Sequence, residues 1–332
     1  MIDISTVLVT GGTGFIGSHV IKQLLEQKYR VKATARSSAR LQSIFPSAGP
    51  QLEVIEVPTL TSDYSEALQG VDAVIHCANP IPLKEKDNAT ILRQTVDGGN
   101  HLIRQSLDAG VKKIVYTSSF VALFPVNSKA AFGTELITTE TVPSVALDDV
   151  NIDDHDPAAI YQVAKIAAEN NLWDLAHRHP EVDFTVIIPP ATFGPFVPNY
   201  PSASDQLTHG SNGYIFQLLS GQYHPNLIGH GTDVRDIAKA HVLALRAPRP
   251  SNGRDKRFFV NGKIFTWEEV VGIIRKERPE LSARLPSEGA VCPVPQTKAP
   301  VDDSLVKEVL GLTEFVPWRE TVLDTIDACL AI

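Results

Sequence analysis

Near its start the chain runs Val7-Leu8-Val9-Thr10-Gly11-Gly12-Thr13-Gly14-Phe15-Ile16-Gly17, an apolar stretch that ends in closely spaced glycines. Beyond them Phe15, Ile16, Val20, Ile21, Leu24 and Leu25 recur at helical spacing, so the order is strand, tight turn, helix. Gly11 permits a turn that other residues resist, and Gly14 places no side chain in the path of a bound pyrophosphate. Gly17 lets the helix lie close to the strand. The helix then aims its unbonded N–H groups and the positive end of its dipole at an anion. The spacing is G-x-x-G-x-x-G rather than the commoner G-x-G-x-x-G. An ordinary turn is the alternative reading, but the position directly after a Val/Leu strand favours dinucleotide binding.

The rest of the chain repeats this alternation. Strands are predicted at 30–35, 51–57, 71–77, 113–117 and 184–188, with helices over 65–68, 91–107 and 158–177. Strands separated by helices make right-handed βαβ units and a parallel sheet. Asp236 to Arg246 reads as a further helix and Phe258 to Val260 as a further strand. Thr266-Trp267-Glu268-Glu269 is a capping box, and helices close the chain over 302–310 and 317–330. The expected fold class is α/β: a Rossmann-type, doubly wound parallel sheet with a smaller, mostly helical C-terminal lobe. Residues 1–190 and 235–262 form the expected NADP-binding domain, and 191–234 with 263–332 the substrate-binding lobe. The irregular stretch Pro195 to Thr232 follows the sixth strand, where open α/β sheets bind ligands, and its aromatics suit a lid or pocket wall.

Composition removes several function classes. The chain has 332 residues and a formal net charge of −8, with no basic run, so no nucleic-acid partner is expected. No apolar stretch approaches the roughly 20 residues that span a bilayer, and no signal peptide is legible, so a cytoplasmic protein without membrane contact is expected. Three scattered cysteines, Cys77, Cys292 and Cys329, argue against a disulfide framework or zinc site. No metal is expected: the acids Asp148, Asp149, Asp153, Asp154 and Asp156 read as a solvated excursion, and His177 with His179 as surface residues.

Choice of nucleotide rests on the end of the second strand, Ala35-Arg36-Ser37-Ser38-Ala39-Arg40. NAD-binding folds place an acid there for the ribose 2′-hydroxyl, whereas an arginine accepts the 2′-phosphate of NADP. No acid is present, and the forked guanidinium groups of Arg36 and Arg40 suit a phosphate, so NADP(H) is the expected cofactor. Two further features carry chemistry. Tyr161 and Lys165 lie four apart on a predicted helix and so share a face. A phenol is a poor proton donor or acceptor at neutral pH unless a nearby ammonium stabilises its phenolate. Thr117-Ser118-Ser119 ends the fifth strand, at the sheet edge on which a cofactor lies, where a hydroxyl can hold a carbonyl oxygen.

With these features in this order the sequence resembles the extended short-chain dehydrogenase/reductases. The branch it resembles holds dihydroflavonol reductases, cinnamoyl-CoA reductases and fungal NADPH-dependent aldehyde/ketone (methylglyoxal-type) reductases. Thr10 to Gly17, Ala35 to Arg40, His76 to Pro80, Tyr116 to Ser119, Tyr161 to Lys165, Pro189 to Pro195 and Asp233 to His241 carry the resemblance. It implies that Tyr161 donates the proton, that Lys165 activates it and holds the nicotinamide ribose, and that Ser119 polarises the carbonyl. It implies further that Gly11, Gly14, Phe15, Ile16 and Gly17 line the pyrophosphate and that Arg36 and Arg40 take the 2′-phosphate. Thr59 and Leu60 would stand near the adenine, Ala78, Pro80 and Thr117 along the cofactor, and Pro189 and Thr192 beside the carboxamide. The sequence departs from the family where Pro58-Thr59-Leu60 replaces the usual Asp, where Asn79 replaces Ser, and where Asp97 replaces Asn; Asp97 is given no catalytic role.

The expected activity is reversible NADPH-dependent reduction of a small-molecule aldehyde or ketone to an alcohol, by a monomer or homodimer. Phe120, Val121, Phe124, Phe193, Tyr200 and Phe216 would form an apolar substrate pocket, with core packing as the alternative for each. A nucleotide-sugar epimerase or dehydratase of the same fold is an alternative, as is a non-catalytic NADP sensor. Against the first stands the missing acid after the second strand, and against the second the presence of both Tyr161 and Lys165.

Overall fold

The computed structural model describes residues 3–80, 87–126, 128–147, 150, 152, 156–200, 210–223, 229–251, 253–295 and 297–331. Seven parallel strands form the main sheet: β1 (Thr6–Thr10), β2 (Arg30–Ala35), β3 (Leu52–Glu56), β4 (Ala73–His76), β5 (Lys113–Thr117), β6 (Asp183–Ile188) and, after an excursion, β9 (Arg257–Phe259). Their order is β3-β2-β1-β4-β5-β6-β9, so the chain reverses its direction of growth between β1 and β4. A doubly wound sheet opens its ligand crevice at that point, outside the carboxyl ends of the strands.

Helices cover both faces, which is why the central strands read as unbroken apolar runs rather than alternating ones. On one face α1 (Phe15–Glu26) and α7 (Val234–Ala244) bury Val20, Ile21, Leu24 and Ile237 against Val7, Val9, Ile75, Val115 and Ile187. On the other, α4 (Asn88–Asp108) and α5 (Pro157–Arg178) bury Leu102, Ala164 and Leu172 against Leu8, Val74, Ile114 and Val186. Two short helices, α2 (Ser38–Ile44) and α3 (Ser65–Leu68), complete the nucleotide half. Asp156, one of the acids in the irregular stretch, starts α5 by accepting from the amides of Ala158 and Ala159. Asp148, Asp149, Asp153 and Asp154 lie outside the described residues. Among the described residues no helix is long and apolar enough to cross a membrane, and no acid, His and Cys cluster could hold a metal.

A second, three-stranded sheet was not legible in the sequence. It joins β7 (Ala191–Phe193), β8 (His230–Asp233) and β10 (Lys263–Ile264) in the order β10-β8-β7. β8 reads His-Gly-Thr-Asp, polar and glycine-bearing, yet every residue of it is buried. Around it α6 (Ser211–Gln217), α8 (Trp267–Glu277) and α10 (Trp318–Leu330) enclose a third apolar cluster that includes Ile215, Phe265, Trp267, Ile274, Val322 and Ile326; α9 (Ser304–Leu310) packs instead with the main-sheet core. The N-cap half of the capping box forms, with the Thr266 hydroxyl accepting from the Glu269 amide at 3.2 Å, while the Glu269 carboxylate pairs with Lys263. Asp233 links the lobes: it caps α7, grips Arg235 through two 2.8 Å bonds and accepts the Thr321 hydroxyl of α10. Arg235 in turn reaches Glu320 and Asp324 on α10.

Three histidines inside the nucleotide half carry a pH liability. His241 on α7 donates from Nδ1 to the Ile237 carbonyl, which leaves its Nε2 bare to accept the Thr117 hydroxyl at 2.8 Å. Burial pulls its pKa down to about 4, as it pulls His19 to about 4 and His76 to about 3. A folded pKa below the unfolded value of 6.5 means that the unfolded chain binds the proton first. The stability is therefore fully present above about pH 6.5 and is lost as pH falls toward the folded values. For His241 alone the full effect is about 3 kcal/mol. Thermal melts are expected to show Tm dropping steeply below about pH 6.5, with a shallower fall in His241→Gln, whose side chain cannot charge. Parallel pH–Tm curves for the two proteins would contradict this.

Candidate active site

The glycine turn is built as its spacing requires. Gly11 is left-handed, with φ +73°, and a Cβ there would lie 2.8 Å from the Ala78 amide nitrogen. A Cβ on Gly17 would lie 2.2 Å from the Gly11 carbonyl oxygen, so α1 can approach β1 this closely only without a side chain. Gly14 starts α1 without any side-chain cap, and no acid stands in the first turn. The Gly14 amide turns back to the Gly11 carbonyl at 2.8 Å, and the amides of Phe15 and Ile16, which open the helix, are left to face an anion.

Tyr200, expected in the substrate pocket, packs on this turn. Its hydroxyl donates to the Thr13 carbonyl at 2.7 Å, and its ring stacks on Phe196, which meets Phe15 edge-on. Burial pushes its phenol up to about 12, while the charge of Arg40 pulls the other way. Phe120, Phe124 and Phe193 also depart from the expected pocket. Phe120 packs in the core against Phe124, Phe259 and His230, and Phe193 is enclosed by Phe265, Trp267 and Trp318. A fully surrounded ring offers no face to a substrate. Val121 and Phe216 remain half-buried. Of the stretch expected to form a lid, residues 201–209 and 224–228 lie outside the described residues.

At the end of β2, Arg36 and Arg40 are both exposed. Between them Ser37 caps α2 by accepting from the Arg40 amide, and Ser38 gives its amide and hydroxyl to Glu56 at 3.2 Å each. Glu56 went unnoticed in the sequence because it comes from β3, where parallel pairing sets it beside Ala35. Thr59 turns its hydroxyl to Ser62 and Thr61, and Leu60 packs against Gly98 of α4. Ala78 donates its amide to Thr10, next to the glycine turn, and the Pro80 carbonyl accepts from Asn79. Thr192 is held by Ser211 and Pro190. Asp97 is exposed on α4, away from buried chemistry.

Ser119, Tyr161 and Lys165 converge at the carboxyl end of β5. The Ser118 amide bonds to the Ile187 carbonyl at 2.8 Å and the Phe120 amide to the Pro189 carbonyl at 2.9 Å, which fixes the turn that presents Ser119. Burial pushes the Tyr161 phenol above its ordinary value, and a hydrogen bond with Ser119 draws it back. One helical turn on, Lys165 donates to the Thr117 carbonyl at 3.0 Å, and its Nζ lies 5.9 Å from the centre of the Tyr161 ring. Burial pulls its pKa down to about 8, against the opposing charge of Glu169. A buried ammonium beside a phenol is an arrangement for moving a proton near neutral pH.

The model of the NAD dependent epimerase/dehydratase family matches residues 7–260, which include the glycine turn, the β5 end and the Tyr161–Lys165 face. The chain belongs to this family. It is an extended short-chain dehydrogenase/reductase with dihydroflavonol reductase-like and fungal methylglyoxal reductase relatives. Ketoreductase azaE of Aspergillus niger is 30% identical over 326 residues, covering 92% of each chain. Among solved structures, yeast methylglyoxal/isovaleraldehyde reductase Gre2 complexed with NADPH superposes with a TM-score of 0.84 at 24% identity, covering 98% of both chains. Gre2 of Candida albicans in complex with NADPH gives 0.81 at 26% identity, again with 98% of both covered. Near the β5 end stand groups to which sequence reasoning assigned no role: Ser118, Glu169, Arg257 and His241. Ser118 and His241 lie inside stretches already singled out, Glu169 sits four residues beyond Lys165 on the same helical face, and Arg257 left no local sign.

Proposed function

We propose that this chain is an NADPH-dependent carbonyl reductase: hydride passes from the nicotinamide to an aldehyde or ketone carbon, and Tyr161 supplies the proton to its oxygen. The observation that carries this reading is the convergence of Ser119, Tyr161 and Lys165 at the β5 end, on the same edge of the sheet as the uncapped glycine turn. Ser119 orients the carbonyl oxygen toward Tyr161. Lys165 stabilises the phenolate left behind and holds the nicotinamide ribose. NADP(H) is the cofactor: the pyrophosphate lies on the amides of α1, and Arg36 and Arg40 take the 2′-phosphate. The relatives named above, a ketoreductase and NADPH-bound reductases, support the same reading. The lobe built on the small sheet holds the substrate, with Val121 and Phe216 as wall residues.

The test is oxidation of NADPH and of NADH, followed by absorbance, against a panel of aldehydes and ketones. Turnover that strongly favours NADPH supports the reading. NADPH binding with no carbonyl turned over points instead to an epimerase, a dehydratase or a sensor. The double variant Arg36→Ala/Arg40→Ala is expected to lose about 2–4 kcal/mol of NADPH binding, two charge-assisted contacts, with little change for NADH. Equal weakening of both nucleotides would mean that the arginines do not read the 2′-phosphate.

A further inference from the structure

Behind the β5 end lies an ion pair that the chemistry above does not use. Glu169 is 0% and Arg257 1% exposed, and Arg257 Nε donates to Glu169 Oε1 at 2.5 Å. The other carboxylate oxygen accepts the Ser118 hydroxyl at 2.5 Å, and the Trp173 indole also donates to Oε1. Arg257 Nη1 is held by the carbonyls of Thr139 and Thr141. Four segments, the β5 end, α5, β9 and residues 139–141, thus meet at this buried pair. Burying such a pair is costly, and apolar side chains would fill the space more cheaply, so its retention calls for a reason beyond packing.

Two adjacencies supply it. Glu169 stands one turn beyond Lys165 and two beyond Tyr161 on the same face of α5, and its Ser118 partner immediately precedes Ser119. We infer that Glu169 is a positioning residue for the reaction, the fixed counter-charge that keeps Lys165 an ammonium and the anchor that holds the Ser118–Ser119 turn. This inference rests on the reductase reading. The groups facing Lys165 are Tyr161 and Glu169 from its own helix, Tyr116 from β5, and His76 and Cys77 from the β4 end. His76 stays neutral because burial pulls its pKa to about 3, and Cys77 stays a thiol because burial pushes its pKa up to about 11. That leaves Glu169 as the carboxylate among them.

Glu169→Gln alone orphans the buried Arg257 and can fail to fold for that reason. The informative protein is therefore Glu169→Gln/Arg257→Gln, in which the pair is neutral and the hydrogen-bonding shape is kept. Of the two charges removed, that of Glu169 is the one that faces Lys165, so its loss outweighs that of the guanidinium and Lys165 holds its proton less tightly. The alkaline limb of kcat against pH is therefore expected to move down by about one unit. Turnover should then match wild type near pH 6 and fall about tenfold on the alkaline side. A purely structural role would depress turnover evenly across the range, and an unmoved limb in a folded double variant would overturn the inference. Should the wild-type chain turn over no carbonyl, the reductase reading fails by itself. The same limb is then read from NADPH affinity against pH by cofactor fluorescence. A downward shift there supports the counter-charge role, and coincident curves refute it.

Discussion

Tyr161→Phe is expected to cut carbonyl reduction by about a hundred- to ten-thousand-fold, the range for loss of a positioned proton donor. NADPH affinity should stay close to that of the parent, because the change removes one oxygen and keeps the ring. The structure gives the reason for so large an effect. Tyr161 shares its α5 face with Lys165, and the Ser119 side chain is near enough to draw its phenol down against burial, a combination that Tyr116 does not have. The Tyr116 ring centre lies closer to Lys165 than that of Tyr161, 5.4 Å from Nζ, but burial pushes its phenol far above the ordinary range. Steady-state kinetics with the best substrate of the carbonyl panel, together with NADPH titration, separate the two quantities. A variant with parent-like kcat would remove Tyr161 from the chemistry.

Gly17→Ala is expected to abolish detectable NADPH binding and to destabilise the fold by about 2–4 kcal/mol. The added Cβ would lie 2.2 Å from the Gly11 carbonyl oxygen and 2.8 Å from its carbon. Those are backbone atoms of the turn proposed to meet the pyrophosphate, and the Gly11 oxygen is already committed to the Gly14 amide at 2.8 Å. Relief therefore means pushing α1 off β1, which opens the core around Val20 and Ile21. Gly272→Ala makes a useful contrast. Gly272 lies exposed inside α8 with nothing within 4 Å of an added Cβ, so the same substitution should stabilise by about 0.5–1 kcal/mol. Urea melts and NADPH fluorescence titrations on both variants test the pair of opposite signs. A Gly17→Ala protein that binds NADPH normally would show that the turn tolerates the methyl group.

Much of this protein was written in local sequence pattern. Apolar runs bounded by glycine and polar residues marked the main-sheet strands, and the i, i+4 spacing placed Tyr161 and Lys165 on one face. The glycine spacing likewise forecast a tight turn, because a left-handed φ and a 2.2 Å approach are demands that only glycine meets. These features depend on neighbours a few residues apart, and periodicity records such neighbours directly.

Tertiary structure decided the rest. The aromatic residues expected to line a pocket were sorted by partners far along the chain: Phe120 by Phe259 and His230, Phe193 by Phe265 and Trp318, and Tyr200 by Thr13. The small sheet has strands of two to four residues, too short for an alternation to register. Glu56 reached the loop after β2 only through the β2–β3 register, and Glu169 met Arg257 across 88 positions. A side chain's type states what it can bond to; which group it meets across the core depends on how the whole chain closes, and no local window carries that.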